Sequence, residues 1–227
     1  MPPDTVPGVL VLFDVDGTLI RAGDPGHRDA FHGAFVEVFG VPATIDGIPL
    51  GGNLDRAIAR AALRREGLDD DTIDAGLDEL MQALGRRYDP SAVVPLPGVA
   101  AAIEAAAPGR VLGVLTGGAE GVARRKLEVC GVAHLLTVGA FGCEAEVRAE
   151  LVHLAAGRAG GVPMSEVTLV GDTPLDVAAA RAAGCAVVAV ATGRWSIDDL
   201  AATDPDDLLA DLTDSEAFLA ALDGPAR

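Results

Sequence analysis

Positive charge is what this sequence has least of. Its 227 residues carry 17 Lys and Arg against 34 Asp and Glu, a formal net charge of −17, and Lys126 is the only lysine. Such a balance argues against binding DNA or RNA through a basic surface, and against an anionic membrane. An anionic substrate would need a local remedy: a metal ion, a helix N-terminus or one placed cation. Cysteine is scarce too. Cys130, Cys143 and Cys185 are odd in number and lack Cys-x-x-Cys spacing, which excludes a disulfide framework and a zinc site and fits reduced thiols. No apolar run approaches membrane-spanning length, and the start, MPPDTVPGV, lacks the basic and apolar regions of a signal peptide. The expectation is a cytoplasmic protein with no nucleic-acid and no membrane partner.

What is present is a series of short apolar runs separated by helical stretches. Val9–Phe13, Val111–Leu115, Leu135–Val138, Val167–Val170 and Ala186–Ala191 read as strands, with a short sixth near Asp207–Ala210 and a last helix over Asp214–Leu222. Runs apolar at every position suit strands buried on both faces of a parallel sheet. Their alternation with helices predicts a doubly wound, Rossmann-like α/β fold. About a hundred residues separate the first two strands, far more than one crossover helix needs. Ala30, Phe31, Ala34, Phe35 and Val38 recur at helical spacing there, as do Ile73, Leu77, Leu80, Met81 and Leu84 behind the acidic run Asp69–Asp71. The predicted organisation is an α/β core over 1–20 and 94–227, with a helical cap over 21–93.

Ligands of open parallel sheets bind at the carboxyl ends of the strands. The first run, VLVLF, leads into Asp14-Val15-Asp16-Gly17-Thr18, the second into Thr116-Gly117-Gly118, and the fourth into Gly171-Asp172-Thr173-Pro174-Leu175-Asp176. Asp16-Gly17 is a turn signal, but a turn does not explain Asp14, because an ionisable residue ending a buried strand is costly without a partner. Carboxylates gathered at one rim repel, and a hard cation with oxygen ligands, magnesium, relieves this. Thr116 and the amides after it could cradle an anion at a helix start, or Thr116 could cap that helix. Thr173, Pro174 and Asp176 also read as a helix start with a capping box.

The pattern resembles the haloacid dehalogenase superfamily, whose four motifs are present in order: Asp14–Thr18, Thr116, a basic residue at Arg148, and Gly171–Asp176. The resemblance covers the core, and the helical insert stands where that family carries its cap; the phosphoglycolate-phosphatase-like subgroup is the nearest in pattern. It implies a magnesium-dependent phosphatase. Asp14 would be the nucleophile that becomes an aspartyl phosphate. Asp16 would be the general acid, then the general base. Mg2+ would be held by the Asp14 carboxylate, the Asp16 backbone carbonyl and Asp172, with Asp176 behind them. Thr116 and the Gly117 amide would bind phosphate oxygens, and Arg148 would offset charge on nucleophile and phosphate. Arg148 stands where lysine is usual, and Gly118 where asparagine is frequent. Lys126 lies only ten residues after Thr116, too close in sequence for the basic motif. The dehalogenases of the family lack an aspartate equivalent to Asp16, so its presence favours phosphate esters.

The partner implied is a small phosphorylated metabolite. In related enzymes a cap loop selects the substrate, and Asn53 and Arg56 in Gly51–Arg56 are the candidates. His27 reads as a helix-start surface residue that could touch substrate, and Trp195 as packing. A sugar-phosphate phosphomutase on the same core is the alternative, with a phosphate-binding pseudoenzyme behind it. Phosphonate hydrolysis is disfavoured because the only lysine lies outside the cap.

Overall fold

The computed structural model describes residues 8–224. Residues 1–7, read above for a leader, and 225–227 lie outside the described residues. Six parallel strands form one sheet in the order β3-β2-β1-β4-β5-β6: β1 (Leu10–Phe13), β2 (Val111–Thr116), β3 (Val138–Phe141), β4 (Val167–Gly171), β5 (Ala186–Val190) and β6 (Asp207–Leu209). β1 shows why an unbroken apolar run is a central strand. Val11 and Phe13 point into one core cluster, Leu10 and Leu12 into the other, and all four are fully buried. Helices α4 (Val99–Ala106), α5 (Glu120–Cys130) and α9 (Ser215–Leu222) cover the first face, and α6 (Arg148–Arg158) and α7 (Pro174–Ala183) the second. Short α8 (Ile197–Ala201) follows β5. The doubly wound α/β fold expected from the sequence is present.

The third strand corrects the sequence reading. It runs over Val138–Phe141, three residues later than Leu135–Val138. Leu135 and Leu136 instead occupy a turn, with the Leu135 amide on the Val132 carbonyl at 2.9 Å, and both pack into the core from there. The pairing that sets the register is Gly113–Thr116 of β2 against Val138–Phe141, so a Gly-containing segment holds the strand and the most apolar segment does not.

Between β1 and α4 lie three helices: α1 (Pro25–Phe39), α2 (Asp55–Arg65) and α3 (Asp70–Arg87). The Asp24 side chain caps α1 at the Gly26 amide, and Asp69 caps α3 at Thr72. The acid-first, base-last order of α3 (Asp70 and Asp71, then Arg86 and Arg87) opposes its dipole. The two connections to the sheet run side by side: the Arg21 amide donates to Val94 at 2.9 Å, and the Leu96 amide to Leu19 at 3.0 Å. Phe31, Phe35, Leu77 and Leu84 join one hydrophobic cluster with Phe13 and Val114 of the sheet, so the insert is docked on the core. Among the described residues no helix is long and apolar enough to cross a membrane.

Candidate active site

The parallel register places three strand ends level with one another. Phe13 of β1 lies opposite Val114 of β2 and Val170 of β4, and the Asp14 amide continues the ladder to the Val170 carbonyl at 2.9 Å. Asp14, Thr116 and Asp172 therefore converge on the same rim, the arrangement the motifs implied. They open into a cavity of about 520 Å³ between sheet and insert, also lined by Asp16, Arg148 and His27.

Arg148 begins α6 and is buried. Its Nη2 donates to Asp14 Oδ1 and to Asp176 Oδ1, both at 2.6 Å, its Nε donates to Asp176 at 3.0 Å, and its Nη1 donates to the Gly52 carbonyl of the insert at 3.3 Å. Asp176 uses its other oxygen for the capping box of α7: it accepts from the Thr173 amide at 3.0 Å and hydroxyl at 2.7 Å. The capping-box reading holds, and Asp176 also orients the guanidinium.

Carboxylate oxygens of Asp14, Asp172 and Asp176 lie within 4.8 Å of one another, all buried. Against three carboxylates stands one paired guanidinium, bonded to Asp14 and Asp176. The Asp172 carboxylate accepts from the Thr18 hydroxyl at 3.3 Å, and the backbone at Gly17 and Gly193 approaches it so closely that a Cβ at either would collide with its carboxylate. Burial pushes Asp14 well above the usual carboxylate range; Arg148 pulls it back and Asp176 adds to the rise. Asp172 is raised by burial and by the Asp14 and Asp176 charges. A buried, under-compensated set of oxygen donors fits a hard divalent cation.

Thr116 does not cap the following helix. The N-cap of α5 is Ala119, and the Thr116 hydroxyl accepts from the Gly118 amide at 3.1 Å within a turn facing the cavity. Gly117 is obligatory where it stands, because a Cβ there would collide with the Asn53 carbonyl of the insert.

The two insert candidates separate. Asn53 lines the cavity, although its side-chain amide is turned to the Pro49 carbonyl at 3.0 Å. Arg56 is absent from the lining. It bonds Asp78 at 2.6 Å and the Cys143 carbonyl at 3.2 Å, with Glu146 nearby at 3.4 Å. It lies on the flank of α2 that meets α3, whereas the neighbouring Asp55 is buried and faces inward.

Two further groups, Lys126 and His27, belong to the site. The Lys126 ammonium reaches both oxygens of Asp16, at 2.7 and 2.8 Å, from the middle of α5. Burial works to raise the Asp16 carboxyl, but the Lys126 charge holds it below the usual range. His27 is not an outward helix-start residue: it lines the cavity, stacks on Phe31 with centroids 5.2 Å apart and meets Asp55 Oδ2 at 2.9 Å. Sequence distance hid Lys126 from the reading above. The signal that finds it is spacing, since Val122, Ala123, Lys126 and Leu127 form the buried stripe of α5. His27 likewise stands one turn before Ala30 and Phe31 on the buried face of α1. Trp195 is half-buried, with Arg194 over its ring at 5.3 Å, and among the described residues its indole nitrogen is buried without a hydrogen-bond partner.

Comparison with known proteins gives consistent matches. The family model described as haloacid dehalogenase-like hydrolase matches residues 9–184. Phosphoglycolate phosphatase of Rhodospirillum rubrum is 33% identical over 192 residues, spanning 81% of this chain and 79% of that protein. CbbY from Rhodobacter sphaeroides, solved in complex with phosphate, is 24% identical with a TM-score of 0.69, covering 96% of this chain and 100% of that one. A predicted phosphoglycolate phosphatase from Haemophilus somnus superposes with a TM-score of 0.66 at 23% identity, over 95% of this chain and 100% of its own. The two solved structures establish the shared fold.

Proposed function

The chain belongs to the haloacid dehalogenase-like hydrolases, and from that premise we propose that it is a magnesium-dependent phosphatase of a small phosphate monoester. The observation that carries this reading is Asp14 itself: a carboxylate at the end of a buried strand, held by Arg148 at 2.6 Å and open to the cavity. A carboxylate attacks phosphorus without a separate activating base. Asp14 Oδ forms the new bond to phosphorus while the bond to the ester oxygen breaks, and Asp16 gives the departing alkoxide its proton. Asp16, now ionised, takes a proton from water. The hydroxide attacks phosphorus, the bond to Asp14 breaks, and phosphate leaves. In the ligand-free protein Asp16 is already in the form the second step needs, paired to Lys126. The proton for the first step can arrive with an ester monoanion, since phosphate monoesters have a second pKa near about 6.

Asp14, Asp172 and the Asp16 backbone carbonyl would hold Mg2+, which when bound neutralises charge on the transferring phosphoryl group. Thr116 and the Gly117 amide are the proposed phosphate-oxygen partners, and Arg148 balances charge on the nucleophile. We take the 21–93 insert as a cap that excludes bulk water over the substrate; the Asp55 amide on the Gly117 carbonyl at 2.8 Å supports it, tying insert to phosphate loop. The Rhodospirillum rubrum relative makes 2-phosphoglycolate the first ester to try.

The test is phosphate release from a panel of small esters, 2-phosphoglycolate and sugar phosphates included, with and without magnesium. We expect magnesium-dependent release from at least one ester and loss of at least about 10⁴-fold in Asp14→Asn. No release from any ester, or an Asp14→Asn enzyme as active as native, sinks the reading. An isomeric sugar phosphate formed without phosphate release would point to the mutase.

A further inference from the structure

We propose that Lys126 is a positioning residue for Asp16: its buried ammonium aims the Asp16 carboxylate at the reacting oxygens, with His27 and Asp24 of the insert packed around it. This rests on the phosphatase reading above and assigns a role to a residue that lies outside the four motifs.

Lys126 is 1% exposed. Burying an ammonium costs several kcal/mol unless partners compensate, so its surroundings need a reason. Its Nζ contacts both oxygens of Asp16, lies 3.5 Å from His27 Nδ1 and 4.0 Å from the Asp24 carboxylate, and stands 5.6 Å from the centre of the Tyr88 ring. Asp24 in turn accepts from the Tyr88 hydroxyl. Among the described residues, Lys126 is the sole hydrogen-bond donor to the Asp16 carboxylate. Lys126 does not line the cavity, whereas Asp16 and His27 do. It therefore acts through Asp16.

The second half of the inference concerns the insert. Asp55 Oδ2 accepts from the Ala119 amide at 2.7 Å and meets His27 Nε2 at 2.9 Å. A carboxylate only accepts, which assigns the proton to Nε2 and leaves Nδ1 to accept from the Lys126 ammonium. The chain Ala119–Asp55–His27–Lys126–Asp16 thus runs from the core through the insert and back: the N-cap of α5, α2, α1, α5 and the β1 loop. His27 and Asp24 of the insert thus stand against the same ammonium that holds Asp16.

Two measurements test this. First, turnover of Lys126→Met with magnesium is followed on 2-phosphoglycolate, or the best alkyl ester of the panel, and on p-nitrophenyl phosphate. A misaimed Asp16 should lower kcat on the alkyl ester by about 100-fold or more, with KM within about threefold. p-Nitrophenolate leaves without a proton, so the variant should release about one equivalent of it per site in a burst, ahead of slow phosphate release. An equal loss on both esters with no burst overturns the proposal, as does unchanged kcat. Should Lys126→Met not fold, Lys126→Gln keeps one donor and should show the same burst with a loss of about tenfold. Second, melting of metal-free native protein, Lys126→Met, Asp16→Asn and the double variant reads the pair without any turnover. Lys126→Met should lower Tm by at least about 5 °C and the double variant should recover most of that; additive losses overturn the proposal. Native protein inactive on every ester, with the melting coupling intact, sinks the phosphatase reading and reduces Lys126 to a structural pair. The two failures are thereby told apart.

Discussion

Arg148 serves two buried carboxylates at once, and its shape is what allows it. The planar fork places Nη2 between Asp14 and Asp176 while Nη1 reaches Gly52; an ammonium is a point charge on a flexible stem. We expect Arg148→Lys to stay folded, keep KM within about threefold and lose about 10- to 100-fold in kcat, because the charge survives and the geometry does not. Arg148→Ala leaves two buried carboxylates unpaired and should cost about 3–5 kcal/mol of stability by urea titration. A lysine variant with native kcat would show that charge alone suffices. At this scale the sequence told most about residues inside motifs: Asp14, Asp172 and the basic residue at 148 stand together as expected. It told least where a helix face decides. Asp55 and Arg56 are adjacent, so they point about 100° apart on α2, and only the inward one joins the site. Lys126 was passed over on chain distance alone, although its place in a buried stripe was visible.

Between elements, α3 of the insert and α5 of the core meet at two glycines. A Cβ on Gly85 of α3 would sit 2.9 Å from the Gly121 Cα of α5, nearer than real Cβ contacts come. Ala in place of Gly gains about 1 kcal/mol of helix propensity, against about 1–3 kcal/mol for overpacking, so Gly85→Ala should change stability little. A larger side chain has no such offset. Gly85→Leu should lower the urea midpoint by the equivalent of about 1–3 kcal/mol and raise KM, since α3 must back away from α5 and take the cavity wall with it. An unchanged midpoint with unchanged KM would mean that the contact does not locate the insert. Helices α1 and α3 were legible, because their periodic apolar residues, and for α3 the acidic run Asp69–Asp71, lie close together in sequence; α2 was not, and it takes in Asp55 and Arg56 from the stretch read as a loop. Nor was the third strand. Its place depends on pairing with Gly113–Thr116, a partner about 25 residues earlier, and the nearby Leu135-Leu136 carried the stronger local signal while serving as a packed turn.

Across the whole molecule the acid excess and the site make opposite demands. A net charge of −17 disfavours any further anion, yet the fold gathers Asp14, Asp172 and Asp176 at one sheet edge, with Arg148 as their only paired cation among the described residues. Burial raises the Asp14 and Asp172 carboxyls above their ordinary values. In the unfolded chain both lose their protons near about pH 4, whereas in the fold they keep them to higher pH. The folded state thus binds more protons over that window, so in chelator this cluster subtracts stability as pH rises from about 4 toward neutrality and beyond. A divalent cation competes with those protons and favours the ionised form. Magnesium should accordingly raise the melting temperature more at pH 8 than at pH 5. At a concentration about 100 times Kd the gain is about 2.7 kcal/mol, or about 5–10 °C for a chain of this size. Calorimetry at the two pH values, with magnesium and with chelator, measures it. The gain should shrink when Asp172→Asn removes a carboxylate that Arg148 does not pair. Equal shifts at both pH values, or a native-sized shift in Asp172→Asn, would mean that magnesium binds elsewhere on the acidic surface and that the buried cluster is held by protons alone.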